Sequence, residues 1–395
     1  MQELNTEFFS LGDMPLVNNL NEEFEESLQC SKFPLKVSFS HQTGLTKLVD
    51  LVDSKMLFDK YVYISGTSKP FISHCDSMFD YLSKYINFEE NDTLVDIGGN
   101  DGTLLSRFKS KINHNCRYIN IDPSDISERS KSHGIEVFNE YFKESSSKKI
   151  LNSAKLVVTT NVFQHLNEIQ DFVKNLFSVL SNDGVWCLEF PYWYESMKTL
   201  QFDQIYHEHI YYYNVTPLNK LFNNYNLRIF NVSRQEIHGG SLRLLICRED
   251  SNYKTDETLK DILNDESDID IEFYLNWKKK IDIHVDYCRK EIIEISKEKK
   301  IVAFGAAAKG CIFLNYSKLD YTHISYVIDD TETKKNKFVP GTGLKIYDRS
   351  KILTDEPDYI LILAHNFKDY IIKSLREYGY KNPFIVCLPK FEIIT

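Results

Sequence analysis

The chain has 395 residues, of which 42% are hydrophobic and 26% charged, a balance typical of globular proteins with two or three domains. Its 47 basic and 57 acidic residues give a net charge of −10, which argues against nucleic acid as a partner because that function needs a basic surface. The apolar runs stop well short of the ~20 residues that span a bilayer, and the first residues lack the basic and apolar segments of a secretion signal. We therefore expect a cytoplasmic protein with no membrane partner. The eight cysteines are scattered without a C-x-x-C pair, so free thiols are expected.

Residues 1–70 carry little periodic pattern, and we expect them to form a small N-terminal lobe. Beyond them, short β-branched runs alternate with helical stretches, a pattern typical of βαβ units and parallel sheets. The alternation is interrupted at Glu249–Asp270, an acidic segment that we interpret as a solvated connector. Apolar residues at steps of three and four from Phe273 to Ile295 then predict one amphipathic helix. The predicted fold class is α/β, with a Rossmann-like domain at 71–248, the linker and helix at 249–300, and a second Rossmann-like domain at 301–395.

The first predicted strand of the central domain runs into a glycine-rich turn and a helix, in "LVDIGGNDGTLLSRF" (Leu94–Phe108). A ligand is expected at such a turn because it lies at the carboxyl end of a parallel strand. A dinucleotide fingerprint needs glycine at its first, third and sixth positions, and this turn lacks that spacing. Asp96 and Asp101 would also repel phosphate groups at close range. S-adenosylmethionine fits better, because it has no phosphate and carries an ammonium and a sulfonium group.

The next strand ends in a further acid, Asp122, at the position where a carboxylate can accept hydrogen bonds from ribose hydroxyls. Two acidic positions on consecutive strands favour a cofactor over the alternative, a strand–turn–helix unit that binds nothing. We therefore predict S-adenosylmethionine as the cofactor. The residues expected to surround it are Asp96, Gly98, Gly99, Asn100, Asp101, Gly102 and Asp122.

The stretch "FDQIYHEHIYYY" (Phe202–Tyr213) combines titratable side chains and tyrosines more densely than a surface loop or a core requires. Methylation of a carbon needs a base that first removes a proton next to an activating carbonyl, and histidine is the natural candidate. A metal site is the weaker alternative, because a regular strand would point only His207 and His209 to one face. At least one of the tyrosines is expected in the core, and others could wall a pocket around a cationic methyl donor.

The second Rossmann-like domain opens with "KIVAFGAAAKGCIFLNY", again a strand, a turn of small residues and a helix. The helix N-terminus and Lys309 could hold a diphosphate, and Asp329 and Asp330 after the next strand could meet ribose hydroxyls. These residues alone fit an NAD site equally well. A packing turn without a ligand is the other alternative.

A series of motifs runs in one order through nearly the whole chain: "FFSLGDMPLVNNL", "FPLKV", "LFDKYVYISGTS", "VDIGGNDGTLL", "NVFQHL", "EFPY", "FDQIYHEHIYYY", "HGGSLR", "GAAAKG", "PGTGLKI" and "LAHNFKD". This series resembles that of the sugar C-methyltransferases, which use S-adenosylmethionine to methylate C3 of nucleotide-linked 4-keto-deoxy sugars. The resemblance implies a small N-terminal lobe, a central methyltransferase domain that binds S-adenosylmethionine, and a C-terminal Rossmann-like domain. The nucleotide-sugar substrate would lie between the last two.

The resemblance also implies roles for individual residues. Tyr206, Glu208 and His209 would serve catalysis, with His209 as the base that takes the C3 proton, and His165 would lie at the same site. These side chains cannot converge from a regular strand, so an irregular loop is expected. Asn161 of the "NVFQHL" motif is assigned to the cofactor. The residues assigned to the nucleotide-sugar are Tyr61, Tyr63, His238, Lys309 and Asn366.

One feature departs from the family, whose N-terminal lobe carries two C-x-x-C pairs that bind a structural zinc. Here the positions of the second pair are occupied by Ser40 and Thr43, which supply no thiolate. His41 and Cys30 are nearby but are too few for a four-coordinate site. We therefore expect neither zinc nor another metal, and a lobe held together by packing.

The leading hypothesis is thus a cytoplasmic sugar C-methyltransferase that acts through an enolate. The runner-up is an S-adenosylmethionine-dependent O- or N-methyltransferase that acts on a nucleotide-sugar. A non-catalytic nucleotide-sugar sensor and an NAD-dependent sugar oxidoreductase are further alternatives, and the intact Tyr206, Glu208 and His209 argue against the sensor.

Overall fold

The computed structural model describes residues 4–53, 56–57, 64–67 and 69–395. In chain order, the strands are β1 Asn5–Pro15, β2 Lys32–Ser40, β3 Thr46–Leu48, β4 Thr93–Ile97, β5 Arg117–Ile121, β6 Glu136–Phe138, β7 Ala154–Thr160, β8 Leu180–Pro191, β9 Tyr211–Tyr212, β10 Leu227–Gln235, β11 Ser241–Arg248, β12 Ile301–Phe304, β13 Val327–Ile328, β14 Phe338–Val339, β15 Leu344–Tyr347, β16 Tyr359–Ile362, β17 Phe384–Val386 and β18 Glu392–Ile394. The α-helices are α1 Phe24–Gln29, α2 Lys69–Leu82, α3 Thr103–Lys109, α4 Glu144–Ser147, α5 Ile169–Val179, α6 Trp193–Lys198, α7 Val215–Asn223, α8 Glu257–Asp265, α9 Ile271–Ser296, α10 Ala308–Ser317, α11 Lys351–Asp355 and α12 Lys368–Tyr378.

The central sheet has the strand order β10-β11-β8-β7-β4-β5-β6. Strands β4 to β8 are parallel neighbours, and β11 and β10 add an antiparallel hairpin at one edge. From β4 the chain winds outward through β5 and β6, and then returns to the other side of β4 with β7. The direction of winding therefore reverses between β4 and β7, and a ligand crevice is expected beyond the carboxyl ends of these two strands.

The C-terminal sheet has the order β14-β15-β13-β12-β16-β17-β18. Its five inner strands are parallel, and β14 and β18 close the edges in antiparallel fashion. The same reversal of winding occurs between β12 and β16, so a second crevice lies beyond their carboxyl ends. The predicted α/β class with two Rossmann-like sheets is confirmed.

The segment between the two sheets is more ordered than its acidic composition predicts. Asp256 accepts a hydrogen bond from the Thr258 N–H and begins α8, whose Ile262 is buried. Glu266, which follows α8, accepts hydrogen bonds from the Val215 and Thr216 N–H groups at 2.7 and 2.6 Å. The interpretation of this segment as a solvated connector is therefore wrong for these residues. The amphipathic helix that follows is confirmed as α9.

The N-terminal sheet has the order β1-β2-β3-β9, so its fourth strand comes from the middle of the chain. Its apolar side chains do not form a separate core. Phe9 packs edge-on against Trp277 of α9, at a ring centroid distance of 5.2 Å, and belongs to one apolar cluster with Ile301 and Ile346 of the C-terminal sheet. The lobe, α9 and the C-terminal domain thus share a hydrophobic core.

Candidate active site

The turn after β4 brings bare backbone against the acids of the first crevice. Gly98 has a φ of 73°, and a Cβ there would lie 2.4 Å from Val162 Cγ2. A Cβ on Gly99 would lie 2.6 Å from Asn120 Oδ1 and 2.7 Å from Asp96 Oδ2. Only glycine allows the turn to approach these neighbours, which is the arrangement expected where a ligand contacts the main chain.

Asp96 is the residue of this crevice with the strongest electrostatic perturbation. Burial raises its pKa to about 8, and the negative charges of Asp122 and Asp101 act in the same direction. Among the described residues, nothing donates a hydrogen bond to Asp96 Oδ1 or to Asn120 Oδ1, although both atoms are buried. A cationic ligand with N–H donors would meet both needs, so these residues fit S-adenosylmethionine.

Two acids of this crevice also organise its backbone. Asp122 accepts the Asn100 N–H at 2.9 Å and the Ser124 N–H at 2.8 Å, which fixes the turn to the end of β5. Asp101 accepts the Thr103 N–H at the start of α3 and the Gly66 N–H at 2.9 Å. The carboxylate of Asp101 therefore joins the cofactor turn to the segment that leaves the N-terminal lobe.

The other wall of the first crevice follows β7. Asn161 has a φ of 55° and donates its N–H to the Glu189 carbonyl at 2.9 Å. His165 donates its Nδ1–H to the Glu208 carbonyl at 2.6 Å, and its ring centre lies 5.0 Å from that of His209. Burial lowers the pKa of His165, which favours its neutral form at this site. His165 thus connects the cofactor crevice with the predicted catalytic stretch.

That stretch is irregular between Phe202–Gln204, a single 3₁₀ turn, and β9, as expected. His209 is buried, and its Nδ1 lies 3.0 Å from the Gln204 carbonyl, which can only accept. Nδ1 therefore carries the proton of the neutral ring, and Nε2 is the basic atom. The Tyr206 hydroxyl donates to this Nε2 at 2.6 Å. The structure thus brings a histidine base and a phenol together.

Glu208 has a different partner. Its buried carboxylate accepts a hydrogen bond from Asn18 Nδ2 of the N-terminal lobe at 2.6 Å. Burial raises the pKa of Glu208 to about 7, and the hydrogen bond from Asn18 opposes this rise. His207 donates from Nε2 to the Phe33 carbonyl at 3.3 Å, which is a structural contact with β2. The side chains of Glu208 and His209 therefore have separate polar partners.

The second crevice faces the same stretch from the C-terminal domain. Lys309, at the start of α10, donates to Gln201 Oε1 at 3.3 Å. His365, which follows β16, lies with Nδ1 3.4 Å from Asp203 Oδ2. A Cβ on Gly239 would lie 2.5 Å from Asn366 Oδ1, so the turn of the "HGGSLR" motif also reaches this crevice. Both crevices therefore border residues 201–209.

Three residues predicted to bind the nucleotide-sugar lie wholly or partly outside the described part of the chain. Tyr61 and Tyr63 fall outside the described residues, and nothing is described of the His238 side chain, although its backbone belongs to the 3₁₀ turn Ile237–Gly239. Among the residues that the structure describes, no cluster of three or more His, Cys, Asp and Glu side chains could ligate a metal. His41 instead pairs with Thr6 at 2.8 Å. In the same part of the chain, no helix has the length and apolar character that crossing a bilayer requires.

Sequence reasoning missed several residues that the structure brings to the site. Asn18, Gln201 and Asp203 lie within or beside quoted motifs, but no local pattern indicates their partners. A further group consists of Glu189, which forms a fully buried ion pair with Arg243 at 2.9 Å, and His74, whose Nε2 lies 2.6 Å from Glu189. This ion pair joins the "EFPY" motif on β8 to the "HGGSLR" motif on β11 as cross-strand neighbours.

Comparison with known proteins matches two family models to the chain. Residues 73–232 match the family described as a methyltransferase domain, and residues 236–389 match the C-methyltransferase C-terminal domain. Together with the fold, these matches support an S-adenosylmethionine-dependent methyltransferase whose C-terminal domain is similar to that of C-methyltransferases. The chain is similar to C-methyltransferase NovU of Streptomyces niveus, with 26% identity over 396 residues that cover 98% of this chain and 93% of NovU.

Solved structures align with about half of the chain. The CurJ carbon methyltransferase is 10% identical, with a TM-score of 0.37, and the alignment covers 47% of this chain and 56% of that one. The PH0226 protein from Pyrococcus horikoshii OT3 is 14% identical, also with a TM-score of 0.37, and the alignment covers 50% of this chain and all of that one.

Proposed function

We propose that this C-methyltransferase methylates C3 of a nucleotide-linked 4-keto-deoxy sugar through an enolate. The observation that carries the proposal is the pair formed by Tyr206 and His209, which lies where the two crevices border one stretch of chain. A carbon acceptor needs a base that an oxygen or nitrogen acceptor can do without, and His209 Nε2 is such a base. The resemblance to the sugar C-methyltransferases supplies the substrate class.

Proton removal follows from the tautomer of His209. The C4 ketone acidifies the C3 proton. When the Tyr206 hydroxyl turns from Nε2 to the ketone oxygen, Nε2 takes this proton, while the Gln204 carbonyl holds Nδ1–H and stabilises the imidazolium. Once protonated, Nε2 becomes a donor and no longer accepts from Tyr206. The Tyr206 hydroxyl can then donate to the developing enolate oxygen, an interaction typically worth about 3 kcal/mol in a site that excludes water.

The first crevice holds the methyl donor. Burial, and then the charges of Asp122 and Asp101, raise the pKa of Asp96 to about 8, so a cationic ligand at the glycine turn is favoured because it would lower this pKa and ionise Asp96. When bound, S-adenosylmethionine supplies an electrophilic methyl group, so that a C–C bond to the acceptor forms as the C–S bond breaks. His165 lies between this crevice and His209, and because its Nδ1–H is donated to the Glu208 carbonyl, its Nε2 can accept a hydrogen bond near the reacting carbon.

The second crevice would bind the nucleotide end of the substrate. Lys309 and the N-terminus of α10 offer positive charge to a diphosphate. Asp329 accepts the Ala306 N–H at 2.9 Å and the Thr331 N–H at 2.9 Å. Asp122 likewise accepts one N–H from the glycine turn and one from two residues further along the chain. This parallel supports a nucleoside site in the C-terminal domain, with Asn366 at its edge.

The test uses a 4-keto-6-deoxy nucleotide sugar in D2O, followed by mass spectrometry. We expect deuterium to enter C3 without a methyl donor, and a methyl group to be gained on ring carbon when S-adenosylmethionine is present. H209A should lower both rates by at least ~100-fold, because the base is removed. H207Q is the matched control, since His207 donates its hydrogen bond to Phe33 of β2 and not to Tyr206 or His209, and it should retain both reactions.

Two results would contradict the proposal. Wild-type exchange and methylation in H209A would exclude His209 as the base. Methyl transfer to an oxygen or nitrogen atom without C3 exchange would instead identify a heteroatom methyltransferase.

A further inference from the structure

Asp203 is a buried carboxylate without an ordinary partner. Its side chain is 0% exposed, and within the described part of the chain neither carboxylate oxygen accepts a hydrogen bond. Its polar contact is with His365, whose Nδ1 lies 3.4 Å from Asp203 Oδ2, and His365 Nε2 is likewise buried without a described hydrogen bond. Burying a carboxylate costs free energy unless a positive charge compensates it, so a cation is expected near Asp203.

The positive charge comes from the second crevice. Lys309 interacts electrostatically with Asp203, which raises the pKa of the lysine against the effect of burial. Burial lowers the pKa of His365, Asp203 opposes this effect, and the positive charges of Lys309 and Lys368 lower the pKa further. Among the described residues, Lys309 thus interacts electrostatically with Asp203 of the 3₁₀ turn Phe202–Gln204 and with His365 after β16.

Asp203 also stands next to the catalytic loop in sequence. The following residue, Gln204, provides the carbonyl that accepts the Nδ1–H of His209. Gln201, on the other side, accepts from Lys309 and donates to the Gly239 carbonyl at 3.0 Å. Residues 201–204 therefore contact both Lys309 and His209, through Gln201 Oε1 and the Gln204 carbonyl.

We infer that Asp203 is a positioning residue, the counter-ion that keeps Lys309 charged to bind the substrate diphosphate and ties that subsite to the loop of His209. The inference rests on the proposed function for the identity of the diphosphate. It does not need turnover to be tested, because the anion subsite can be probed with inorganic pyrophosphate alone.

The experiment measures pyrophosphate affinity by titration calorimetry from about pH 6 to about pH 9.5, a range that spans the titration of an amine with a lowered pKa. In the wild type, affinity should fall as pH rises through about 8, where Lys309 loses its charge. In D203N the ammonium loses its counter-ion, so the fall should occur about one pH unit lower. At about pH 6, D203N should bind as tightly as the wild type or more tightly, because a repelling carboxylate is gone.

Two further variants make the result specific. K309M should lose most pyrophosphate affinity at every pH, and D203N added to K309M should change little more. D261N removes an exposed carboxylate from α8 and should leave the wild-type profile in place.

An alkaline fall at the wild-type pH in D203N would overturn the inference, and so would an equal loss of affinity at every pH. Absence of methylation with normal pyrophosphate profiles would contradict the proposed function and not the role of Asp203. In active enzyme, the inference also requires that D203N raise the KM for the nucleotide sugar above about pH 8 more than it lowers kcat.

Discussion

Glu208 provides a test at the scale of a single residue, because its carboxyl group titrates far from its usual range. Its pKa is raised from 4.5 to about 7, mainly by burial. A raised pKa in the folded state means that this group stabilises the fold below about pH 4.5 and that this contribution is lost as pH rises through about 7. The E208Q variant lacks this dependence. We expect the free energy of unfolding of the wild type to fall relative to E208Q by up to about 3 kcal/mol over that range.

Urea unfolding at several pH values measures this difference. E25Q is the control, because Glu25 is exposed on α1 and its removal should give a curve parallel to that of the wild type. Parallel curves for the wild type and E208Q would show that this carboxyl group has the same pKa in the folded and unfolded states.

Individual site residues were predictable only where one motif contains both partners. Tyr206 and His209 are three positions apart, so a turn suffices to join them. Asn18 and Glu208 are 190 positions apart, and their hydrogen bond depends on how the lobe packs. The pairing of Asp203 with His365 likewise depends on the contact between two domains. No periodicity in the sequence carries that information.

At the scale of elements, the turn between β4 and α3 is the proposed cofactor site. In G99A the new Cβ would clash with Asn120 and Asp96, two buried side chains. Asn120 donates to the Asn100 carbonyl at 2.9 Å and to Ser130 Oγ at 2.8 Å, so it cannot move without breaking the turn. We expect the Kd for S-adenosylmethionine to rise at least ~10-fold, the equivalent of about 1.4 kcal/mol, in titration calorimetry.

The control for this variant is G12A. Gly12 also has a positive φ, of 77°, but no atom lies within 4 Å of the added Cβ. Its strain should lower the thermal stability and leave cofactor affinity unchanged. Equal affinity of G99A and the wild type would place the cofactor away from this turn.

The elements that the sequence predicted correctly are those with one dominant pattern. The parallel strands β4, β7, β12 and β16 are short apolar runs, because both faces of such a sheet are covered. The hairpin β10–β11 and the N-terminal sheet were not predicted. Their strands contain bulges or irregular registers, as between Ser10 and Asp13, which break the alternation of buried and exposed residues.

At the scale of the whole molecule, the N-terminal lobe and the C-terminal domain share one hydrophobic core, so we expect the stability of each to depend on the other. Phe9 is 1% exposed and contacts the rings of Trp277 and Tyr316, which belong to α9 and α10. Trp277 in turn packs against Trp193 of the central domain, at 5.3 Å, and donates its Nε1–H to the Met197 carbonyl. α9 therefore connects all three parts.

The F9A variant tests this connection. Loss of the buried ring should lower the free energy of unfolding by about 3–5 kcal/mol. Because α9 and α10 lose packing together with β1, hydrogen exchange read by mass spectrometry should accelerate in β12, α9 and α10 as well as in the lobe. F108A removes a ring from the core of the central domain and should accelerate exchange first in β4 and β5. If F9A accelerated exchange only within β1–β3, the lobe would be an independent unit. The hydrogen bond from Asn18 to Glu208 would then join two separate domains, and the lobe would not share the fold that positions residues 202–209.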